Sequence, residues 1–491
     1  MSLNVINVVK VILVSKKNSS QKRLFQQTGL LLILLFLIIA ACRKETFYSG
    51  HDATLKFSDD TITFDTIFTN IGTATKRLMV YNPYNQTLKI SNIQIANGET
   101  PFVLNINGKQ ATSVNDIEIY PKDSLYIFIQ VLVNTIGQNS PLLIHDKLEF
   151  TVNGNSQNVE LEAYGQDVHL IRHEIIKTTN WDNDKPYLIY GDLIVDTLET
   201  LTINKGVRVF FHRESNMLVK GTLKVDGDFE NPVVFQGDRL EKYYQDYPGQ
   251  WGGVLLNPGS KNNIFNWLVI KNGTTGIQIG ADNDLSKPDV ELYNVIVQNM
   301  SSSCLLAKGA RVKAANCLIA NAATYTCGLL GGGEYEFYQC TFANYYGSYS
   351  SRQYSNPTVY ITNYYTDTLG KTIVSNLDSA NFYNSIIYGG NADEILLAKH
   401  NSSALFQYKF DHCLLKSHEY NNTSPLFTFN IWNKDPKFHA SDSLKFELDS
   451  LSSAIDEGSV DIGKLYPMDL KNKSRISDKA PDLGAYERVN K

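Results

Sequence analysis

Between residues 265 and 417 one short phrase keeps returning: a bulky or polar residue, then a polar one, then apolar side chains at alternate positions. It reads Tyr293-Asn294-Val295-Ile296-Val297-Gln298-Asn299, then Ala315-Asn316-Cys317-Leu318-Ile319-Ala320-Asn321, then Tyr338-Gln339-Cys340-Thr341-Phe342-Ala343-Asn344. Phe265-Asn266-Trp267 begins the series, and Tyr383-Asn384-Ser385-Ile386-Ile387 and Asp411-His412-Cys413-Leu414-Leu415 extend it. The second position falls at 266, 294, 316, 339, 384 and 412, in steps of 28, 22, 23, 45 and 28. The longest step reads as two coils of about 22 residues, and a strand-bearing repeat of that size predicts a parallel β-solenoid. In a solenoid each coil stacks its strand on the previous one at about 4.8 Å, so equivalent positions form ladders. Val295, Val297, Cys317, Ile319, Cys340, Phe342, Ser385, Ile387, Cys413 and Leu415 are the predicted inward positions. The amides fall where the strand bends, and stacked amides there can satisfy turn backbone groups.

This periodicity also accounts for the cysteines. Cys317, Cys340 and Cys413 share one register, and Cys304 and Cys327 lie one coil apart, at 23 residues. All five read as small buried core residues. No C-x-x-C pair exists to suggest zinc, and a disulfide between neighbouring coils remains geometrically open.

Upstream the alternation has a period of two. Thr61–Phe64, Arg77–Tyr81, Leu125–Ile129 and Leu148–Val152 are short alternating runs, punctuated by Asn82-Pro83, Asn97-Gly98, Asn107-Gly108 and Asn153-Gly154. Such spacing predicts an antiparallel β-sandwich over residues 51–166. A third pattern is the apolar run Gly29–Cys42, preceded by Lys22 and Arg23, too short to span a bilayer comfortably and shaped like a secretory signal.

Composition changes the picture in two places. Abundant Tyr (28) and Phe (23) beside few Met (5) favour strands and turns over helices. The formal charge of −5 includes five cations and no acid in residues 1–41, so removing that segment leaves −10. Such acidity excludes sequence-independent nucleic-acid binding by net charge, and it disfavours an anionic polymer unless Ca²⁺ or a local basic patch bridges it.

Three resemblances follow from these residues. Ile39-Ala40-Ala41-Cys42 resembles the lipobox of bacterial lipoprotein signals, which implies a signal peptide over 1–41, diacylation of Cys42 and a short tether over 42–50. Arg43, where some lipoproteins carry an inner-membrane Asp, implies the outer membrane, periplasmic or surface-exposed. The segment with "RLMVYNPYNQTLKISNIQI", "IYPKDSLYIFIQV" and "VELEAYGQ" resembles hydin-type immunoglobulin-like domains, which mostly serve as spacers or docking modules. Residues 168–491, with "QWGGV" and the closing "AIDEG…PDLGAYE", resemble right-handed parallel β-helix, pectin-lyase-like proteins of bacterial surfaces. The expected fold is therefore all-β: an immunoglobulin-like β-sandwich followed by a right-handed parallel β-helix with a C-terminal cap.

Candidate chemistry is sparse. Asp282, Asp284 and Asp289 form the nearest approach to a Ca²⁺ cluster, although Asp-Asn-Asp is also ordinary turn composition. Neither a Gly-His-Gly nor a Trp-x-Asp-His segment occurs, whereas a lyase using a Lys–Arg pair would leave little trace. Aromatic residues are more plentiful. Tyr345, Tyr346, Tyr349, Arg352, Tyr354, Tyr360, Tyr364 and Tyr365 crowd a stretch that breaks the coil rhythm, and Tyr243, Tyr244, Tyr247 and Trp251 form a second group. Such rings suit sugar stacking, or simply pack the inserted loop. Asp followed by Ser or Thr and an apolar residue places candidate acceptors at Thr61, Thr66, Ser124, Thr197, Thr368, Ser379, Ser443 and Ser450. The triplet resembles the O-glycosylation sequon of Bacteroidetes-type exported proteins, and turn-to-strand junctions favour the same letters. The expectation is a lipid-anchored surface protein whose β-helix binds glycan or a surface protein without catalysis. The alternative is a lyase or hydrolase acting on a uronic-acid polymer, which should show Lys or Arg beside carboxylates along one sheet.

Overall fold

The computed structural model describes residues 46–72, 75–98, 100–137, 141–281, 287–346, 356–367 and 369–488. Residues 1–41 and Cys42 lie outside them, as do Tyr349, Arg352, Tyr354, Asp282, Asp284 and Thr368. The chain divides into two compact units, with the main division at Ala163–Tyr164.

The first unit holds two five-stranded sheets. One runs Lys56–Phe57, Lys76–Tyr81, Ser124–Val131, Phe102–Ile106, Lys109–Gln110, and its neighbours pair antiparallel. The other includes Leu88–Ile95 between Leu142–Val152 and Ser113–Ile119, again antiparallel. Two Asn-Gly pairs shape the hairpins. Asn107 and Gly108 have φ of 50° and 83°, and Asn153 and Gly154 have 47° and 86°. Positive φ at both central residues gives the turn whose twist suits a two-residue hairpin. Apolar side chains from both sheets meet, as in Phe57–Phe150 at 4.8 Å and Phe64–Phe102 at 6.3 Å between ring centroids.

The second unit is a parallel β-helix. Ten strands stack as one sheet, from Thr179–Trp181 to Phe427–Thr428, and this is the first face. An 18-stranded sheet supplies the second and third faces, whose strands alternate along the chain. On the second face Leu268–Lys271, Ile296–Met300, Leu318–Ala322, Thr341–Asn344, Ile386–Gly389 and Leu414–Leu415 follow in register. On the third are Trp251–Leu256, Gly273–Gly280, Ser303–Lys308, Cys327–Leu330, Val359–Thr362 and Ile395–Ala398.

The core is one continuous cluster, and the predicted inward positions are buried. Phe337, Phe382, Phe410 and Phe427 stack on successive coils, with centroids 4.8, 4.8 and 5.1 Å apart and planes within 20°. Offset ring stacking of this kind adds to the burial of each side chain.

The corner between the first and second faces explains the recurring polar position. Trp267, Asn294, Asn316, Gln339, Asn384, His412 and Phe429 follow aligned residues of the first face and all have φ between 48° and 56°. Among residues that carry a side chain, Asn is one of those that adopt this left-handed conformation at low cost, which is why amides recur there. The next residue completes the corner. Sγ of Cys317, Cys340 and Cys413 donates to the carbonyl two residues back at 3.3, 3.2 and 3.4 Å, and Ser385 Oγ does so at 2.8 Å. All five described cysteines are buried free thiols.

Four expectations need correction. The series begins one residue later than the alignment put it, because Trp267, not Asn266, is in register with Asn294. The step of 45 is one coil, since Gly333–Tyr338 pairs directly with Leu377–Tyr383. Its extra length lies in the segment before Val359 and in the hairpin Tyr364–Thr366 with Thr372–Val374. Cys327 is in register with Leu305, so Cys304 and Cys327 miss one another by a residue. Finally, the first-corner amides do not stack on each other. They reach outward to a C-terminal segment: Asn316 Nδ2 to the Met468 carbonyl (2.8 Å), Gln339 Nε2 to that of Tyr466 (2.9 Å) and Asn384 Nδ2 to that of Ser459 (3.0 Å). A side-chain stack does occur at the next corner, where Asn299 Nδ2 donates to Asn272 Oδ1 at 2.7 Å.

That C-terminal segment covers part of the second face. Phe446, Leu470, Ala485 and Tyr486 pack on Leu318, Ala320 and Ala343, while Leu448, Ala454 and Leu483 pack on Ile386 and Leu414. Arg475, with no exposed surface, anchors it by donating to the Gly484 carbonyl (2.9 Å) and Asn316 Oδ1 (3.1 Å), with Glu487 at 3.4 Å.

Candidate functional site

With the second face partly covered, surface for a ligand remains on the other two. On the first face the register aligns two outward rows. Glu291, Lys313, Glu336, Asn381 and Lys409 occupy successive coils in one. Two residues later Tyr293, Ala315, Tyr338, Tyr383 and Asp411 form the other. Tyr338 and Tyr383 stack with centroids 5.1 Å apart and planes at 13°. Over the gap left by Ala315 comes Tyr466, 5.3 Å from Tyr338 and 6.3 Å from Tyr293. All four tyrosines are partly exposed.

The polar row orients the rings. Tyr293 donates its hydroxyl to Glu291, and Tyr338 is similarly bonded to Glu336. Burial first, and these carboxylates second, push the Tyr293 and Tyr338 hydroxyls up, while burial and nearby negative charge push Tyr466 up to about 12. The row therefore presents neutral phenols at ordinary pH. Beside it a cavity of about 140 Å³ is lined by Lys313, Arg311, Glu334 and Glu336 among others. Lys313 thus sits between Glu291 and Glu336, one coil from each. Aromatic rings and a cation beside carboxylates occur together here, so the contrast expected between a binder and a lyase does not separate them.

The third face carries a smaller aromatic group. Tyr325 and Tyr360 stack at 5.0 Å, Tyr364 lies 5.5 Å from the His400 ring, and Lys308 Nζ lies 5.9 Å from the centre of Tyr365. Of the residues predicted from the insertion, Tyr360 and Tyr364 are brought together by a side-chain hydrogen bond, with Tyr325 as a stacking partner of Tyr360 that the sequence did not suggest, while Tyr365 lies by Lys308. Gly328 keeps this patch open, since a Cβ there would lie 3.0 Å from Leu306 and 3.5 Å from the Tyr325 ring.

Other predicted ring positions lie in packing. Trp251 is 1% exposed and stacks on Phe211 at 4.2 Å, while its indole N–H donates to the Lys271 carbonyl. Its ring is part of the core, a correction to its reading as a sugar platform. Tyr346 is 8% exposed, and Tyr345 packs on Phe438 and Phe446. Both serve packing of the insertion and cap. Tyr247 remains accessible at 40%, beside Tyr243 at 75%, on a loop pinned by Gln250 Nε2 to the Tyr244 and Tyr247 carbonyls. Asp289 is buried and accepts from the Arg311 backbone N–H (2.7 Å) and guanidinium (3.3 Å), so its carboxylate is committed to holding a coil. Among the described residues no group of three or more metal-ligating side chains occurs.

The Asp-Ser/Thr triplets sit largely at turns. Asp65, Asp123 and Asp196 each accept from the next backbone N–H, at 2.9, 2.7 and 2.8 Å. Thr197, Ser443 and Ser450 are exposed, whereas Thr61, Thr66, Ser124 and Ser379 are partly buried. The leucines closing three triplets, Leu198, Leu369 and Leu451, are 88%, 91% and 79% exposed.

The tyrosine row is what the sequence reading missed. Its signal was present in the first position of the aligned phrase, where Tyr293, Tyr338 and Tyr383 already stood in register.

No curated protein matches the chain. Among solved structures, a family 123 glycoside hydrolase from Clostridium perfringens aligns with TM-score 0.17 and 6% identity, covering 24% of this chain and 30% of that one, so this chain spans less than a third of that enzyme's length. A PapD-like domain from a human protein aligns with TM-score 0.17 and 11% identity over 26% of this chain and 92% of the domain. The catalytic unit of a GH87 α-1,3-glucanase from Streptomyces thermodiastaticus gives TM-score 0.26 and 11% identity, covering 72% and 87%. Residues 204–342 match the family model of the right handed beta helix region, and the second unit is a right-handed parallel β-helix.

Proposed function

We propose that this chain is a lipid-anchored surface protein whose β-helix binds a neutral polysaccharide along its first face. The observation that carries the reading is the tyrosine row, Tyr293, Tyr338 and Tyr383 with Tyr466, running lengthwise beside Glu291, Lys313, Glu336, Asn381 and Lys409. Stacked on one another, the rings offer a ligand their edges and hydroxyls, and a row of mixed charges beside them offers donors and acceptors to sugar hydroxyls without selecting one sign of charge. A row along a solenoid also suits a linear chain better than a compact ligand. The anchor at Cys42 rests on the lipobox, and the outer-membrane address on Arg43 beside it.

A second reading, cleavage of the bound polymer, is favoured by Lys313 between Glu291 and Glu336. Electrophoresis of the protein through gels containing neutral or uronate polysaccharides, with parallel assays for unsaturated products and new reducing ends, tests both. Retardation by a neutral polymer without products supports binding alone, and no retardation by any polymer overturns it.

A further inference from the structure

The strand Ser124–Val131 in the first unit turns Ile127 and Ile129 into the core and leaves Phe128 and Gln130 on the outer face of its sheet. Strand pairing lines these two up with their neighbours. Gln110, Asn105 and Phe128 stand opposite one another across three strands, and Val103 stands opposite Gln130. Gln130 Nε2 donates to Thr75 Oγ1 at 2.7 Å. These six residues line a surface cavity of about 260 Å³. That is just below the roughly 300–1,000 Å³ of pockets for drug-sized ligands, a scale that suits one small ring.

The lining is neutral, with no titratable side chain among the described residues. Arg77 pairs opposite Phe128, yet its guanidinium lies 5.5 Å from the centre of the Tyr126 ring and not in the cavity. Phe128 is 42% exposed, and among the described residues no aromatic ring stacks on it. Asn105 Oδ1 is shielded from solvent and has no hydrogen-bond donor. A shielded acceptor left unpaired is costly, and a ligand hydroxyl entering beside the exposed Gln110 side chain supplies the missing donor. Three amides, each with a donor and an acceptor, beside one open aromatic face match the mixed C–H and hydroxyl surface of a neutral sugar. A charged ligand would find no counter-charge here, and a purely apolar ring would leave Asn105 unpaired.

We propose that this cavity binds one neutral sugar ring, with its C–H face on Phe128 and its hydroxyls on Asn105, Gln110 and Gln130. The sandwich is then a recognition module in its own right. The site lies in the first unit and does not rest on the tyrosine row.

The test is saturation-transfer NMR on the full chain carrying Tyr338→Ala and Tyr383→Ala, which removes the first-face row. The probes are the methyl glycosides of glucose, galactose and mannose, beside methyl glucuronide and N-acetylalaninamide. At least one neutral glycoside should bind, and more tightly than the glucuronide or the amide. Adding Phe128→Ala should weaken it about fivefold or more. Adding Asn105→Leu should weaken it similarly without lowering the melting temperature, since the change removes an unpaired buried acceptor. No saturation transfer to any neutral glycoside overturns the proposal, as does undiminished binding in a folded Phe128→Ala protein. Stronger binding of the glucuronide or of the amide overturns it as well. Glycoside binding seen in wild type but lost on removing the first-face row belongs to that row and also counts against this site.

Discussion

Asn384 holds Ser459 by both ends of one amide: Nδ2 donates to the Ser459 carbonyl at 3.0 Å, and Oδ1 accepts the Ser459 N–H at 2.8 Å. Seventy-five residues separate the two, so a corner of the β-helix reads the backbone of a distant segment as a strand reads its neighbour. Asn384 does this from a left-handed conformation, φ 48°. Two variants separate the roles. Asn384→Gly keeps the conformation and loses the clamp; Asn384→Ala loses both. Each should destabilise the protein by roughly 1–3 kcal/mol in denaturant unfolding, Ala more than Gly, with faster proteolysis of the C-terminal segment. Wild-type stability in Asn384→Gly would show that the clamp contributes nothing.

The cap also predicts a pH dependence. Burial and the nearby Asp482 charge push Glu487 up to about 8, and burial together with Asp456 pushes Asp482 up to about 6. Both folded values exceed the ordinary carboxylate values. The folded state therefore holds protons that the unfolded chain has released, and stability from these groups falls as pH rises towards about 8. Melting temperature should decline between pH 5 and 8 by more than in Glu487→Gln, whose profile should be flatter across that window. Equal slopes would sink this account of the cap.

Trp251 offers a contrast between core and surface. Trp251→Ala empties a buried site against Phe211 and should cost about 3–5 kcal/mol in denaturant unfolding. Tyr247→Ala, on the exposed loop nearby, should cost under about 0.5 kcal/mol. A small loss for Trp251→Ala would mean that its ring is not part of the core.

Modification at the exposed triplets is a further expectation. Protein isolated from its own cells should carry glycans on peptides containing Thr197, Ser443 and Ser450, seen by mass spectrometry as added mass. Unmodified peptides at all three sites would leave the triplets as turns capped by aspartate, as at Asp196.

Much of this architecture is legible in the sequence because a ladder is a periodic object. Alternating apolar residues predict which side chains enter the core, and the recurring amide marks a corner. Where the reading slips, the cause is a local insertion. Two insertions stretch one coil to 45 residues, which spacing alone cannot tell from two coils. Trp251 and Tyr345 look like surface aromatics because nothing local reveals the Phe211 or Phe438 packed on them. Tyr466 joins the tyrosine row only through the C-terminal segment, and no repeat announces a segment that returns from outside the repeat.

The central claim is that the first face binds glycan through its tyrosine row. Isothermal titration of the neutral polysaccharide that retards the protein most, against wild type and the double variant Tyr338→Ala/Tyr383→Ala, tests it most directly. The account predicts affinity lower by about tenfold or more in the variant, with the folded β-helix retained by circular dichroism. Unchanged affinity in a folded double variant would contradict it.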